Sequence, residues 1–107
     1  MNRGEVWWVE FDPAVGSEIR KTHPAVIISN NTSNRHLARV QVIPLSSSVE
    51  RIYPSETVVT LAGHRNKVMA DQIMTADKRR LKQTMGKLSL ADMQAVDGII
   101  KLQLGLV

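Results

Sequence analysis

The sequence predicts a small, mainly β domain that is closed by one C-terminal helix. β-branched and aromatic residues cluster in short runs, the first of which is Glu5–Phe11. Turn signals recur at intervals of roughly 8 to 15 residues, a spacing typical of small barrels and sandwiches. Helical periodicity begins only near residue 90. No linker, repeat or low-complexity tract interrupts the 107 residues, so we expect one domain over residues 1–107.

The N-terminal half is expected to hold three strands. The first, Glu5–Phe11, ends at Asp12-Pro13, because proline lacks the amide hydrogen that a strand ladder needs. The second, Pro24–Ser29, contains four consecutive apolar residues, which indicates burial on both faces. Asn30–Asn34 has the composition of a turn. The third strand is Ala38–Leu45.

The C-terminal half is expected to add three strands. Two of them, Thr57–Leu61 and Val68–Thr75, flank a turn at Ala62–Asn66. A basic turn, Lys78–Lys82, precedes a short strand near Gln83–Leu88. The order and spacing of these strands predict a strongly bent antiparallel sheet.

The last element has the period of a helix. Leu90, Met93 and Val96 begin a series of apolar residues at helical spacing, which is typical of core packing. Ser89 is placed to cap the helix. Gly98 weakens it by about 1 kcal/mol relative to alanine, and Gly105 provides a stop.

Composition excludes several classes of protein. The absence of cysteine removes disulfides, thiolate metal sites and a cysteine nucleophile. The longest apolar runs have four residues, so we expect no membrane span and no signal peptide, and a cytoplasmic protein. The net charge is +4, and residues 61–107 carry eight basic and four acidic side chains. Such a basic surface attracts phosphates.

The usual metal and nucleotide motifs are missing. His23, His36 and His64 lie on separate predicted loops without the spacing of a metal site. The sequence contains no GxxxxGK[ST], GxGxxG or GxSxG pattern. We therefore expect neither a metal nor a cofactor.

Two groups of polar residues remain as candidates for chemistry. The 16–23 loop carries titratable groups that include His23, and the third strand ends in Ser46, Ser47 and Ser48. One reaction open to such a set without a metal is cleavage of RNA through its own 2′-hydroxyl. His23 could transfer a proton, Arg20 and Lys21 could neutralise phosphate charge, and Ser46 could hydrogen-bond a non-bridging oxygen.

Several segments in order resemble the MazF/PemK family of toxins nearly end to end. The opening of the family is matched by Arg3–Pro13, followed by Gly16-Ser17-Glu18 and Pro24–Asn30. The later segments are similar to the third strand of the family, to its characteristic strand entry and to the residues before its C-terminal helix: Val42–Ser46, Met69–Ile73, Leu81 and Gly86–Leu88.

The resemblance implies an SH3-like barrel that forms a homodimer and acts as a sequence-specific, metal-independent endoribonuclease on single-stranded RNA. Its products would carry a 2′,3′-cyclic phosphate and a 5′-hydroxyl. It also implies a cognate antitoxin whose acidic, disordered tail covers the RNA groove. The positive charge of this chain agrees with both partners.

The chain departs from the family at one catalytic position. The family usually has an arginine directly before the proline of the second strand, where this chain has His23. Three outcomes are open: His23 takes over proton transfer, Arg20 or Lys21 reaches the site, or the activity is weak. We favour His23, since histidine is a better base than arginine at neutral pH. The hydroxyl-bearing catalytic position of the family corresponds to Ser46.

The expected site follows from these residues. The catalytic set is His23, Ser46 and Arg20, and the expected RNA-binding residues are Glu18, Lys21, Thr22, Ser47, Arg79 and Arg80. Two alternatives to an RNA-cleaving toxin remain. One is a non-catalytic nucleic-acid-binding barrel. The other is a gyrase-poisoning toxin of the same fold, although the tryptophan-containing tail typical of those toxins is missing.

Overall fold

A computed structural model describes residues 1–11 and 21–106 of the chain. The strands are β1 (Glu5–Glu10), β2 (Thr22–Ile27), β3 (Arg39–Ser46), β4 (Glu56–Leu61), β5 (His64–Met69), β6 (Met74–Asp77) and β7 (Leu81–Lys87). The α-helices are α1 (Asn31–His36) and α2 (Leu90–Leu104). Single 3-10 turns lie at Ala70–Gln72 and Lys78–Arg80. The prediction of a mainly β fold with a C-terminal helix is confirmed.

The strands form one antiparallel sheet that bends around β3. The order is β4-β5-β3-β2-β1-β7, and β6 pairs with β3 outside this path. The first half of β3 pairs with β6, from Arg39↔Asp77 to Val42↔Met74. Its last two residues pair instead with β5, through Leu45↔Val68 and Ser46↔Lys67. Because β3 changes partner along its length, the sheet curls into a half-barrel.

Two hydrophobic clusters occupy the two faces of the sheet. The first lies beneath α2 and contains Val6, Val26, Ile43 and Val96, all fully buried. The second contains a different set of fully buried residues, which are Val9, Ala25, Ile27, Val40 and Val42. Neighbouring residues of β2 enter different clusters, because side chains alternate along a strand. The expected burial of the second strand on both faces is confirmed.

Helix α2 begins and ends where the sequence predicts. The Ser89 hydroxyl accepts a hydrogen bond of 3.1 Å from the backbone N–H of Asp92. Gly105 adopts φ 68° at the C-cap, a left-handed conformation that glycine reaches without steric cost. No helix in the described ranges is long and apolar enough to cross a membrane.

Two predicted segments differ from the structure. The turn expected at Asn30–Asn34 is instead the start of α1, and the Asn30 side chain caps it by accepting from the N–H of Ser33 at 2.8 Å. The strand expected at Val68–Thr75 is divided by the 3-10 turn at Ala70–Gln72. The chain turns there because β5 and β6 pair with opposite ends of the bent strand β3.

Candidate active site

The sheet register brings two predicted catalytic residues to the same face. In β2, His23 pairs with Val9 of β1, and Ala25 pairs with Pro44 of β3. The pairing of β2 with β3 ends at Ala25↔Pro44, two residues after His23 and two residues before Ser46. Since side chains alternate along a strand, the side chains of His23 and Ala25 share a face, as do those of Pro44 and Ser46. The strand pairing therefore directs His23 and Ser46 to one side of the β2–β3 pair.

His23 carries a buried nitrogen that lacks a hydrogen bond. Its strand partner Val9 and its second neighbour Ala25 are both fully buried in the second cluster. The imidazole Nδ1 is inaccessible to solvent and has no hydrogen-bond partner among residues 1–11 and 21–106. Native structures contain few such atoms, and an unsatisfied polar group often marks a functional position.

Ser46 lies at the point where β3 leaves β2. Its hydroxyl oxygen accepts the backbone N–H of Ser48 at 3.2 Å. A hydroxyl that accepts through one lone pair keeps its own proton for donation. Ser46 is half-buried and Ser47 is exposed, so a ligand above this edge of the sheet can reach both residues.

A lysine that sequence reasoning missed stands beside Ser46. Lys67 of β5 is the cross-strand partner of Ser46. Its ammonium lies 3.4 Å from the Glu56 carboxylate and donates to the carbonyl oxygen of Arg51 at 3.1 Å. The sequence placed residue 67 next to a predicted turn, and no local pattern indicates that β5 pairs with the end of β3.

The start of β2 carries two further predicted residues. Lys21 adopts a left-handed backbone with φ 61°, and its carbonyl oxygen accepts the N–H of Phe11 at 2.7 Å. Thr22 pairs with Glu10 across β1 and β2. The positive φ at Lys21 turns the chain into β2, one residue before Thr22 and two before His23. Glu18 and Arg20, which complete the predicted set, lie outside the described residues.

The predicted basic pair Arg79 and Arg80 lines a separate groove at the end of β1. This groove has a volume of about 400 Å³ and is also lined by Glu10, Asp77 and Lys82. Arg80 Nη1 donates to the carbonyl oxygen of Glu10 at 3.0 Å, and Lys82 Nζ lies 3.6 Å from the Glu10 carboxylate. Because Glu10 pairs with Thr22, the groove borders the same end of β2 that carries His23.

One arginine of the groove is held by an acidic neighbour. Arg79 Nε donates to Asp77 Oδ1 at 3.0 Å. The side-chain hydrogen bond from Arg79, together with its backbone N–H, holds the pKa of the Asp77 carboxyl below its ordinary value. Asp77 therefore stays ionised at neutral pH and fixes the orientation of the Arg79 guanidinium.

No group of three or more His, Asp or Glu side chains that could hold a metal ion occurs within the described part of the chain.

Comparison with known proteins assigns this chain to a family. Residues 2–104 match the model of the PemK-like, MazF-like toxins of type II toxin–antitoxin systems. The chain belongs to this toxin family. Among curated proteins, the toxin is 35% identical to Endoribonuclease MazF9 of Mycobacterium tuberculosis, covering 99% of this chain and 98% of that protein. It is 31% identical to Endoribonuclease MazF of Staphylococcus saprophyticus, over 99% and 92% of the two chains. The predicted class, a toxin endoribonuclease, is confirmed.

Solved structures share the fold of the toxin over its full length. A mycobacterial endoribonuclease in complex with its cognate antitoxin superposes with a TM-score of 0.85 at 27% identity, covering 100% of this chain and 97% of that one. MazF from Deinococcus radiodurans superposes with a TM-score of 0.86 at 24% identity, over 98% and 96% of the two chains. The half-barrel with its C-terminal helix is thus the architecture of this family.

Proposed function

We propose that this toxin cleaves single-stranded RNA without a metal, using the 2′-hydroxyl of the substrate as the nucleophile. The observation that carries the proposal is the shared face of His23 and Ser46 at the β2–β3 edge, with a buried imidazole nitrogen that has no partner among the described residues.

The reaction assigns a separate task to each residue. His23 accepts the proton of the 2′-hydroxyl, and the resulting oxygen attacks the neighbouring phosphorus. The bond from phosphorus to the 5′-oxygen breaks, solvent water protonates the leaving oxygen, and His23 returns the proton of the 2′-hydroxyl to solvent. The products are a 2′,3′-cyclic phosphate and a 5′-hydroxyl. Ser46 donates its hydroxyl proton to a non-bridging oxygen, which gains negative charge in the transition state. Arg20 supplies positive charge to the same phosphate.

The RNA backbone is expected to run from the serines after β3 toward the basic groove. Ser47 contacts the nucleotide next to the cleavage point, and Lys21, Thr22 and Glu18 also bind the RNA. Arg79 and Arg80 contact more distant phosphates. Phosphate contacts of this kind set affinity and orientation, whereas base contacts set the cleavage sequence.

Two protein partners belong to the proposal. A mycobacterial relative has been solved with its cognate antitoxin, and the net charge of +4 on this toxin favours binding of an acidic antitoxin tail. We also propose that residues 1–107 act as one domain, that the toxin is a homodimer and that it acts in the cytoplasm.

The deciding experiment maps cleavage in EDTA. The purified toxin is incubated with a long, unstructured RNA, and the ends of the fragments are identified. Cuts at one short recurring sequence with cyclic phosphate and 5′-hydroxyl ends are expected. His23→Ala should lower kcat by about 100-fold or more, the usual contribution of a general base. His36→Ala is the matched control, since His36 lies on α1 and its ring Nδ1 contacts the carbonyl oxygen of Thr32 on the same helix.

Three results would contradict parts of the proposal. Activity that disappears in EDTA and returns with a divalent cation would exclude the metal-independent reaction. Full activity of His23→Ala would remove His23 from proton transfer and leave Arg20 or Lys21 as the candidate. RNA binding without turnover by the wild type would indicate a non-catalytic barrel.

A further inference from the structure

The segment that follows Ser46 is braced by a buried ion pair. We call residues 47–55, which connect β3 to β4, the serine loop. The Lys67 and Glu56 side chains that flank it are only 13% and 8% exposed, and their charged groups lie 3.4 Å apart. Charges that are this buried require partners, because removal from water is costly. The loop supplies some of these partners.

Lys67 and Glu56 each hold the backbone of the serine loop. The Lys67 ammonium donates to the carbonyl oxygen of Arg51 at 3.1 Å and lies 5.8 Å from the centre of the Tyr53 ring. The Glu56 carboxylate accepts the backbone N–H of Tyr53 at 2.9 Å. The same Glu56 oxygen, Oε1, faces both Lys67 and the Tyr53 amide. These contacts fix the second half of the loop.

We call the Lys67–Glu56 ion pair the brace. It is attached to the strand position opposite Ser46. Lys67 and Ser46 are cross-strand partners, and the β-carbons of such a pair are about 5 Å apart. The first part of the loop is held by the bond from the Ser48 N–H to Ser46. The loop is thus anchored at both ends to one β3–β5 pair, and it presents an exposed Ser47 and a Tyr53 ring that is 53% exposed.

We propose that Lys67 is a positioning residue that holds the serine loop in the conformation that selects and binds RNA. The inference rests on the proposed function, because the tests that measure RNA cleavage assume that this toxin is an RNA-cleaving enzyme. Lys67 acts through Arg51, Tyr53 and Glu56, because its ammonium is already engaged by the protein and is largely buried. Ser46 itself belongs to β3, so the brace governs RNA binding by the loop and leaves the chemical step in place.

The first test measures the loop without RNA. Trypsin cuts after arginine, and Arg51 offers its carbonyl to Lys67 within the loop. In Lys67→Met, cleavage at the Arg51–Ile52 bond, followed by mass spectrometry, should be about tenfold faster than in the wild type, as expected when a charge-assisted hydrogen bond is lost. Lys101→Met removes the same charge from the exposed side of α2 and should leave this rate unchanged.

The second test measures RNA cleavage by the same variants. In Lys67→Met the KM should rise about tenfold and the cleavage sequence should become less strict, whereas kcat should stay within about twofold of the wild type, the pattern of lost ground-state binding. Lys67→Arg should restore most of the KM, because a guanidinium can donate to both a carbonyl and a carboxylate. A general structural defect would lower kcat and would not be rescued in this way.

A double variant keeps the inference testable if Lys67→Met alone does not fold. Lys67→Met leaves the Glu56 carboxylate buried without its cation, whereas Glu56→Gln combined with Lys67→Met removes both charges and keeps an acceptor for the Tyr53 amide. The double variant should fold and still show rapid cleavage after Arg51. Wild-type rates at Arg51, or rapid cutting there with an unchanged KM and cleavage sequence, would overturn the inference.

Failure of the proposed function would be recognised separately. If the wild type does not cleave RNA, the positioning role of Lys67 can still be tested. The measurements are then the rate of trypsin cleavage after Arg51 and the equilibrium binding of an unstructured RNA. Faster cutting with weaker binding in Lys67→Met would support it, and faster cutting with wild-type binding would overturn it.

Discussion

Helix α2 carries a glycine whose replacement should stabilise the toxin. Gly98 lies on the exposed side of Leu90–Leu104, and a Cβ added there meets no atom within 4 Å. Its φ is not among the positive values of the described glycines, so alanine adopts this backbone without strain. Glycine in a helix interior is about 1 kcal/mol less favourable than alanine. Gly98→Ala should therefore raise the free energy of unfolding by about 1 kcal/mol.

A second glycine on the same helix provides the opposite control. Gly105 also has open space around its Cβ position, but its φ is 68°. Alanine in this left-handed conformation is strained by about 1 kcal/mol, so Gly105→Ala should destabilise the toxin. The space around the two sites is the same, and only the backbone differs.

Urea and thermal unfolding followed by circular dichroism measure both changes. Gly98→Ala should raise the Tm by about 4 °C, the shift expected for a domain of this size, and Gly105→Ala should lower it by a similar amount. RNA cleavage by Gly98→Ala should equal that of the wild type. The reasoning is refuted if Gly98→Ala is neutral or destabilising, or if both variants shift the Tm in the same direction.

Three other contacts also predict changes in stability, one of which depends on pH. Ser89→Ala removes the cap that accepts the N–H of Asp92 and should cost about 1 kcal/mol, measured by urea unfolding. Arg3→Ala breaks the 2.9 Å bond from its Nε to the Ile28 carbonyl and the ion pair with Asp97, and should cost about 1.5 kcal/mol in the same assay. The lowered pKa of Asp77 stabilises the fold above the ordinary value of 3.8, and this contribution is lost as the pH falls through the lower folded value. Asp77→Asn should therefore be less stable than the wild type at neutral pH, with a difference that begins to decrease near pH 3.8 and disappears below the lower folded pKa.

A helix or strand could be predicted from the sequence where its local signals all favour the same structure. Helix α2 was predictable because its apolar period, its serine cap and its terminal glycine all agree. The 30–34 segment was not, since asparagine side chains that favour turns also cap helices, and only the structure shows that the Asn30 oxygen accepts from Ser33. The hairpin between β4 and β5 is tighter than predicted, because Ala62 and Gly63 both adopt positive φ.

The site could be predicted only in part, because it depends on pairing between distant strands. The likeness to a toxin family selects His23 and Ser46 as candidates, and the register then directs them to one face. The role of Lys67 has no local signal: it arises because β3 changes partner and pairs Ser46 with β5. The placement of Glu18 and Arg20 remains a prediction.

Strand β1 is the first strand to be synthesised, but its native pairing requires a strand near the C-terminus. It lies between β2 and β7, and its pairing with β7 joins Glu5 to Lys87, near the other end of the chain. Val6 of β1 also shares a core cluster with Val96 of α2. Contacts between such distant residues slow folding, and the native partners of β1 are complete only when residues 87 and 96 are present. The sheet that carries the candidate site therefore gains its last native strand pairing only when nearly all of the chain has been made.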